Sequence, residues 1–137
     1  MMLMRRFHKL VLINGKPKIG AGTQIGIFSE VYDKGGIVEI GDDCDIASFV
    51  AINCADSHRL TIGLGDHIER IGITIGDCVF IGSHSFIGGG VRIGHHSVVG
   101  AGTILRNAEQ IPPWSLVMSN DYAFPLIIRK GCYEPKT

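Results

Sequence analysis

The chain has little that would carry it to a partner in bulk. Its 13 basic and 13 acidic residues cancel, so no net field draws it to nucleic acid or an anionic membrane, and any bound anion must be held by a local cluster. No apolar run approaches the ~18 residues of a membrane span. The opening MMLMRRFHKLVLING has two arginines and a short apolar run. It has no small-residue cleavage site, which argues against a signal peptide and for a cytoplasmic protein. Cys44, Cys54, Cys78 and Cys132 show no CxxC spacing, so reduced thiols are expected. Only 19% of the 137 residues are charged while 45% are hydrophobic, enough to give one domain, 1–137, its own core.

Glycine is the exception to this scarcity. There are 19, too many for an ordinary domain and too regular for a linker. From Ile19 the chain reads IGAGTQ, IGIFSE, VYDKGG, then after a three-residue slip IGDDCD, IASFVA, INCADS. From Ile75 it resumes as IGDCVF, IGSHSF, IGGGVR, IGHHSV, VGAGTI, LRNAEQ, IPPWSL. Position one is always Ile, Leu or Val, and position five is mostly small or β-branched: Thr23, Ser29, Cys44, Val50, Val79, Ser85, Val91, Ser97, Thr103. Residues four apart on an extended chain share a face, so both positions should point inward and each hexad should be a short strand plus a corner. Glycine at position two suits corners with unusual backbone angles. A period of six scatters aliphatics around a helix. The fold class is therefore all-β, a hexapeptide solenoid whose coils cannot fold singly. The expected organisation is a lead-in over 1–16, coils over 17–57 and 75–116, an extruded loop over 58–74 and a tail over 117–137. The prolines of IPPWSL should end the coils, with Trp114 either capping them or free to stack on a ligand.

The period breaks most deeply at residue 58. Counting in sixes through Ile40, Ile46 and Ile52, an aliphatic is due there and His58 stands instead. The stretch HRLTIGLGDHIERIGIT then loses register and gathers Arg59, Asp66, His67, Glu69 and Arg70. A solenoid has no room inside for such an insertion, so it must project as a loop. Asp56 stands where a small residue is usual; it either orients the His58 ring or makes a plain corner hydrogen bond.

With this repeat over residues 17–130, the sequence resembles the hexapeptide-repeat acyltransferases, whose fold is a left-handed parallel β-helix with three hexads per turn. That hand runs against the general right-handed crossover rule and comes from the resemblance. The wording ADSHRL…IERIGITIGDCVFIGSH resembles the branch of galactoside, maltose and antibiotic O-acetyltransferases, together with sugar acetyltransferases of surface-polysaccharide synthesis. The resemblance implies an acetyl-CoA-dependent transfer of an acetyl group to a hydroxyl or amino group of a sugar. It implies His58 as general base, acetyl-CoA lying between two subunits of a homotrimer, and a backbone N–H near Ser83 as oxyanion donor. The chemistry is coherent: a sugar hydroxyl is too weak an acid to attack a thioester unaided, and an imidazole of pKa near ~6.5 can take its proton. By the same resemblance, VVGAGTILRNAEQIPPWSLV carries the pantetheine past Ala101 and Gly102, with Arg106 near the nucleotide phosphates. Arg129 in FPLIIRKG would lie near the adenine. Arg106 could equally be a solvated corner charge.

The acceptor is the least legible part. Glu69 and Arg70 either reach it or form a solvated loop pair; Glu30 and Asp33, beside the slip, are further acceptor candidates or simply solvated acids. Two other functions compete. A bare trimeric scaffold would be expected to keep an unbroken repeat. A metal-dependent carbonic anhydrase of the same fold needs two ligand histidines five residues apart, and no pair among His8, His58, His67, His84, His95 and His96 has that spacing. Adjacent His95 and His96 should point apart on their corner, and no metal is expected.

Overall fold

The computed structural model describes residues 6–35, 37–119, 126–130 and 132–135. Five coils stack into a prism with three faces, and the hexapeptide period fits the left-handed parallel β-helix. The first coil is β1 (Leu12–Asn14), β2 (Lys18–Ile19) and β3 (Gln24–Ile25); the second is β4 (Glu30–Tyr32), β5 (Val38–Ile40) and β6 (Asp45–Ile46). The third opens with β7 (Ala51–Asn53), then leaves the prism through β8 (Ala55–Asp56), α1 (His58–Thr61) and β9 (Glu69–Arg70). It returns as β10 (Ile73–Ile75) and β11 (Phe80–Ile81). The fourth is β12 (Phe86–Gly88), β13 (Arg92–Ile93) and β14 (Val98–Val99); the fifth is β15 (Ile104–Leu105), β16 (Gln110–Ile111) and β17 (Leu116–Ser119). Finally β18 (Leu126–Arg129) pairs antiparallel with β17. The β1 strand lies in the expected lead-in yet already pairs with β4, so coiling begins before residue 17.

Face 1 contains β1, β4, β7, β12 and β15; face 2 contains β2, β5, β10, β13 and β16; face 3 contains β3, β6, β11, β14 and β17. Their in-register pairing stacks position-one aliphatics in inner columns, such as Ile40, Ile75, Ile93 and Ile111 on face 2. All four are buried, as is every fifth-position residue named above. Each fully buried Ile or Val contributes roughly 1.5–3 kcal/mol of transfer free energy. The inner hydroxyls are spent between coils: Ser29 Oγ donates to the Ala47 carbonyl at 2.8 Å and accepts from Val50 N–H at 3.1 Å. Corner groups that water cannot reach are satisfied in this way.

The corners differ from the sequence expectation in one respect. The left-handed residue is position four, whatever its type: Phe28, Asp43, Phe49, Cys78, His84, His96 and Trp114 all have φ between 55° and 63°. Glycine at position two serves close approach instead. A Cβ on Gly76 would stand 2.7 Å from the backbone nitrogen of His95 in the next coil, nearer than coils can pack. Trp114 is half-buried and stacks on His96 at 4.1 Å. Among the described residues, no helix is long and apolar enough to cross a membrane.

One inner position is irregular. Glu109 is the fifth residue of its hexad, and its Oε2 is buried without a hydrogen-bond partner. Burial pushes its carboxyl above the ordinary value, against a smaller lowering by the Arg106 backbone N–H and charge. An acid whose folded pKa is raised keeps a proton that the unfolded chain has released. Its ionisation therefore costs stability as pH rises from the ordinary carboxyl range through the folded value. Glu109→Gln is expected to melt with wild type below pH ~4 and about 2–4 °C higher near pH ~7.5, read from thermal melts of both proteins across that range.

Candidate active site

The aliphatic due at residue 58 is not lost from the core. Ile75 fills that inner place, stacked between Ile40 and Ile93; of the loop expected over 58–74, Ile73 and Thr74 already belong to β10, with Ile73 in the core, and the segment from His58 to Arg70 is displaced outward. His58 instead opens the four-residue helix α1, directly after the two-stranded ribbon β8–β9 that forms the loop's root. Its side chain is 63% exposed, so solvent and a substrate can reach the ring.

Asp56 is placed to orient that ring. Its Oδ1 accepts from His58 N–H at 3.0 Å and lies 2.6 Å from His58 Nδ1. The first contact, then the second, holds the Asp56 carboxyl below its ordinary value. The anion persists at neutral pH, and a ring that donates Nδ1–H to it would present Nε2 as its accepting nitrogen.

The dyad borders a cleft of about 660 Å³ lined by Asn53, Asp56, His58, Glu69, Phe86 and Arg106, among others. Glu69 is thus brought to His58, with Arg59 Nε 4.0 Å from its carboxylate. Arg106 also faces this cleft, at the edge between faces 1 and 2. Glu30, Asp33 and Arg70 are not among its lining residues. Glu30 stands on the outer side of face 1, where Asn14 Nδ2 donates to it at 2.9 Å. Cys54 borders the cleft, but it is 2% exposed and burial, then the Asp33 charge, pushes its thiol up. A protonated, buried thiol is a poor nucleophile.

The remaining expected residues stand elsewhere. Ser83, Ala101 and Gly102 stack on the edge between faces 3 and 1, where Gly102 N–H donates to the Ser83 carbonyl at 2.8 Å. A Cβ on Gly102 would meet nothing within 4 Å, so a ligand can run along the bare backbone. Above Ser83 the rings of Phe28, Phe49 and His84 stack along the same edge at 5.1 and 4.9 Å. Arg129 pairs opposite Leu116 on face 3 and is exposed. Within one protomer the dyad and the Ser83 edge therefore lie at opposite borders of face 1.

Two features were not foreseen. Asn107 and Ala108 wall the cleft with consecutive left-handed φ of 57°; the glycine-free hexad LRNAEQ was the available signal. His95 and His96 do not point apart, since their Nδ1 atoms approach to 2.9 Å. The cause is the left-handed φ of His96, which turns its ring back toward its neighbour. These two border a larger trough of about 1050 Å³ along face 2, which holds no acid–base pair like the dyad and lies away from it. Among the described residues, no three His, Cys, Asp or Glu side chains gather to hold a metal ion.

Residues 72–107 match the family described as bacterial transferase hexapeptide, six repeats. No curated protein matches the chain in sequence. Several solved structures share its fold. AntD, an N-acyltransferase from Bacillus cereus solved with dTDP and 3-hydroxybutyryl-CoA, is 21% identical with a TM-score of 0.71, over 88% of this chain and 65% of AntD. NeuO, a polySia-specific acetyltransferase, is 28% identical with a TM-score of 0.60, over 93% of this chain and 55% of NeuO. The hexapeptide-repeat acetyltransferase VCA0836 from Vibrio cholerae is 26% identical with a TM-score of 0.70, over 88% of this chain and 70% of its own. The chain thus spans less than two thirds of AntD and little more than half of NeuO. Over residues 72–107 the repeat matches the bacterial transferase hexapeptide, and the fold of the chain is similar to that of the hexapeptide-repeat acetyltransferase VCA0836.

Proposed function

We propose that the chain is an acetyl-CoA-dependent acyltransferase that acetylates a hydroxyl or amino group of a sugar or sugar nucleotide, with His58 as general base. The observation that carries this reading is the Asp56–His58 dyad at the mouth of an open cleft, at the longer of the two interruptions of the repeat and just before the segment that matches the bacterial transferase hexapeptide. The acceptor group gives its proton to His58 Nε2 and attacks the thioester carbonyl directly; collapse of the tetrahedral intermediate breaks the C–S bond, and the leaving CoA sulfur takes the proton from His58, so no enzyme nucleophile is needed. Between the two proton transfers the dyad holds an imidazolium beside the Asp56 anion. Solved neighbours in complex with CoA and dTDP-4-amino-4,6-dideoxyglucose, or described as polySia-specific, support an acceptor of the sugar class.

The working unit of this proposal is a homotrimer. Face 1 is the face suited to burial, because its outer row is Leu12, Glu30, Ala51, Phe86 and Ile104, with Leu12 and Ile104 about half exposed. The corresponding row of face 2 is Lys18, Glu39, Thr74, Arg92 and Gln110, which favours water. In a ring each protomer offers one edge to its neighbour's other edge. The His58 cleft of one subunit then meets the Ser83, Ala101 and Gly102 edge of the next, which receives the donor while an N–H near Ser83 faces the oxyanion. Arg106 supplies charge for the donor phosphates or an anionic acceptor group.

Thiol release from acetyl-CoA, measured against sugars, amino sugars and nucleotide sugars, is expected to rise well above the acceptor-free rate with at least one class. No acceptor-dependent release across the panel would refute the reading.

A further inference from the structure

We infer that Arg70 is a positioning residue: seated on the slipped corner at residues 33–35, it clamps the root of the loop that carries the Asp56–His58 dyad. This inference rests on the reading of His58 as the base. It joins the two departures from the hexapeptide period, which no core requirement explains. The three-residue slip and the long insertion occur in successive coils at the same edge, between faces 1 and 2, and the inner column passes both undisturbed from Ile19 through Ile40 to Ile75.

The slip makes a seat. Gly35 has φ +74°, and a Cβ there would stand 2.6 Å from Arg70 Cδ and 2.7 Å from its Nε. The arginine arm occupies space that only glycine leaves free. Two residues earlier, Asp33 is 8% exposed and its Oδ1 is buried without a hydrogen-bond partner. An uncompensated carboxylate oxygen in that position is costly, and the cation on the same corner is the group suited to offset it. Buried Cys54 feels both charges, Asp33 raising and Arg70 lowering its thiol, so the two are near it together.

From that seat to the dyad the path is short. Arg70 pairs opposite Ala55, and Glu69 opposite Asp56, in the β8–β9 ribbon. Ile71 N–H closes the root on the Cys54 carbonyl at 3.0 Å. Asp56 then holds both the backbone N–H and the Nδ1 of His58. A loose Arg70 frees the strand opposite Asp56 and lets the ring leave its bearing.

Two measurements test this without any turnover: amide exchange across residues 55–71, and the imidazole ¹⁵N spectrum of His58. Arg70→Ala is expected to speed exchange at the Ile71 amide by at least ~10-fold and to abolish the signature of Nδ1–H bonded to Asp56, while Arg70→Lys retains part of it. In turnover, kcat should fall by about 10- to 10²-fold with KM for acetyl-CoA unchanged, partly restored by added guanidinium. Should Arg70→Ala fail to fold, Gly35→Ala, which evicts the arm but keeps the charge, must loosen the same amide. Wild-type exchange and imidazole spectra in these variants would overturn the inference. So would a rise in acceptor KM alone, which would make Arg70 a substrate contact. A wild-type protein with no transferase activity would refute the proposed function, while exchange and imidazole spectra still decide the clamp.

Discussion

Replacing His58 with alanine is expected to lower kcat for acetyl transfer by at least ~10² while leaving the fold intact. Both halves of this expectation come from where the residue stands. The ring is 63% exposed and outside the prism, and Ile75 fills the inner place that the repeat count assigns to residue 58. Its loss removes no core contact, so the melting temperature should stay within about 2 °C of wild type. Its loss does remove the ring that Asp56 meets, and among the described residues that line the cleft there is no second histidine. The KM for acetyl-CoA should change little, since the proposed donor edge is that of Ser83, Ala101 and Gly102. A variant that turns over at the wild-type rate would end the mechanism; a large drop in melting temperature would recast His58 as structural.

Much of the fold is legible because a solenoid writes its core into a local period. Ile19, Ile40 and Ile75 can be assigned to one inner column once the slip and the insertion are subtracted. The same local rule accounts for Ser29 and Thr103, whose small side chains must fit the corner interior. It misleads where the constraint lies in the neighbouring coil. Glycine at position two is required by the coil stacked on it, as Gly76 is by His95, and no single hexad shows that. His95 and His96 were expected to diverge on their corner; the left-handed φ of position four brings them together instead. The site divides in the same way. His58 and Asp56 are two residues apart and readable as a pair, whereas Asn53, Phe86, Asn107 and Ala108 join the cleft only through stacking. Asp33 and Arg70 are 37 positions apart, and the Gly35 seat between them has meaning only when the third coil's loop returns over the second.

Two inactive variants are expected to restore activity to each other when they assemble together. The reason is the placement of the dyad and the Ser83 edge at opposite borders of face 1, which leaves each proposed site to be built from two protomers. Gly102→Trp is the partner for His58→Ala, because a side chain at Gly102 has open space around it and meets no heavy atom within 4 Å at its Cβ. The indole then projects along the proposed donor path without breaking a coil, although φ +69° adds about 1 kcal/mol of local strain. Each variant alone should retain under ~1% of wild-type kcat, the first for want of a base and the second for want of room for the donor. In trimers mixed at random from equal amounts, a site with an intact His58 on one side and an intact Gly102 on the other arises with a probability of about one in four. Co-expression followed by purification on two different tags discards the homotrimers, and since every mixed ring holds one such site in three, the mixture should recover about a third of wild-type turnover. Recovery no greater than the sum of the separate variants would place the whole site within one protomer. In that case acetyl-CoA would have to reach His58 along the cleft lined by Phe86 and Arg106, and the subunit-spanning arrangement would be wrong even if His58 remained the base.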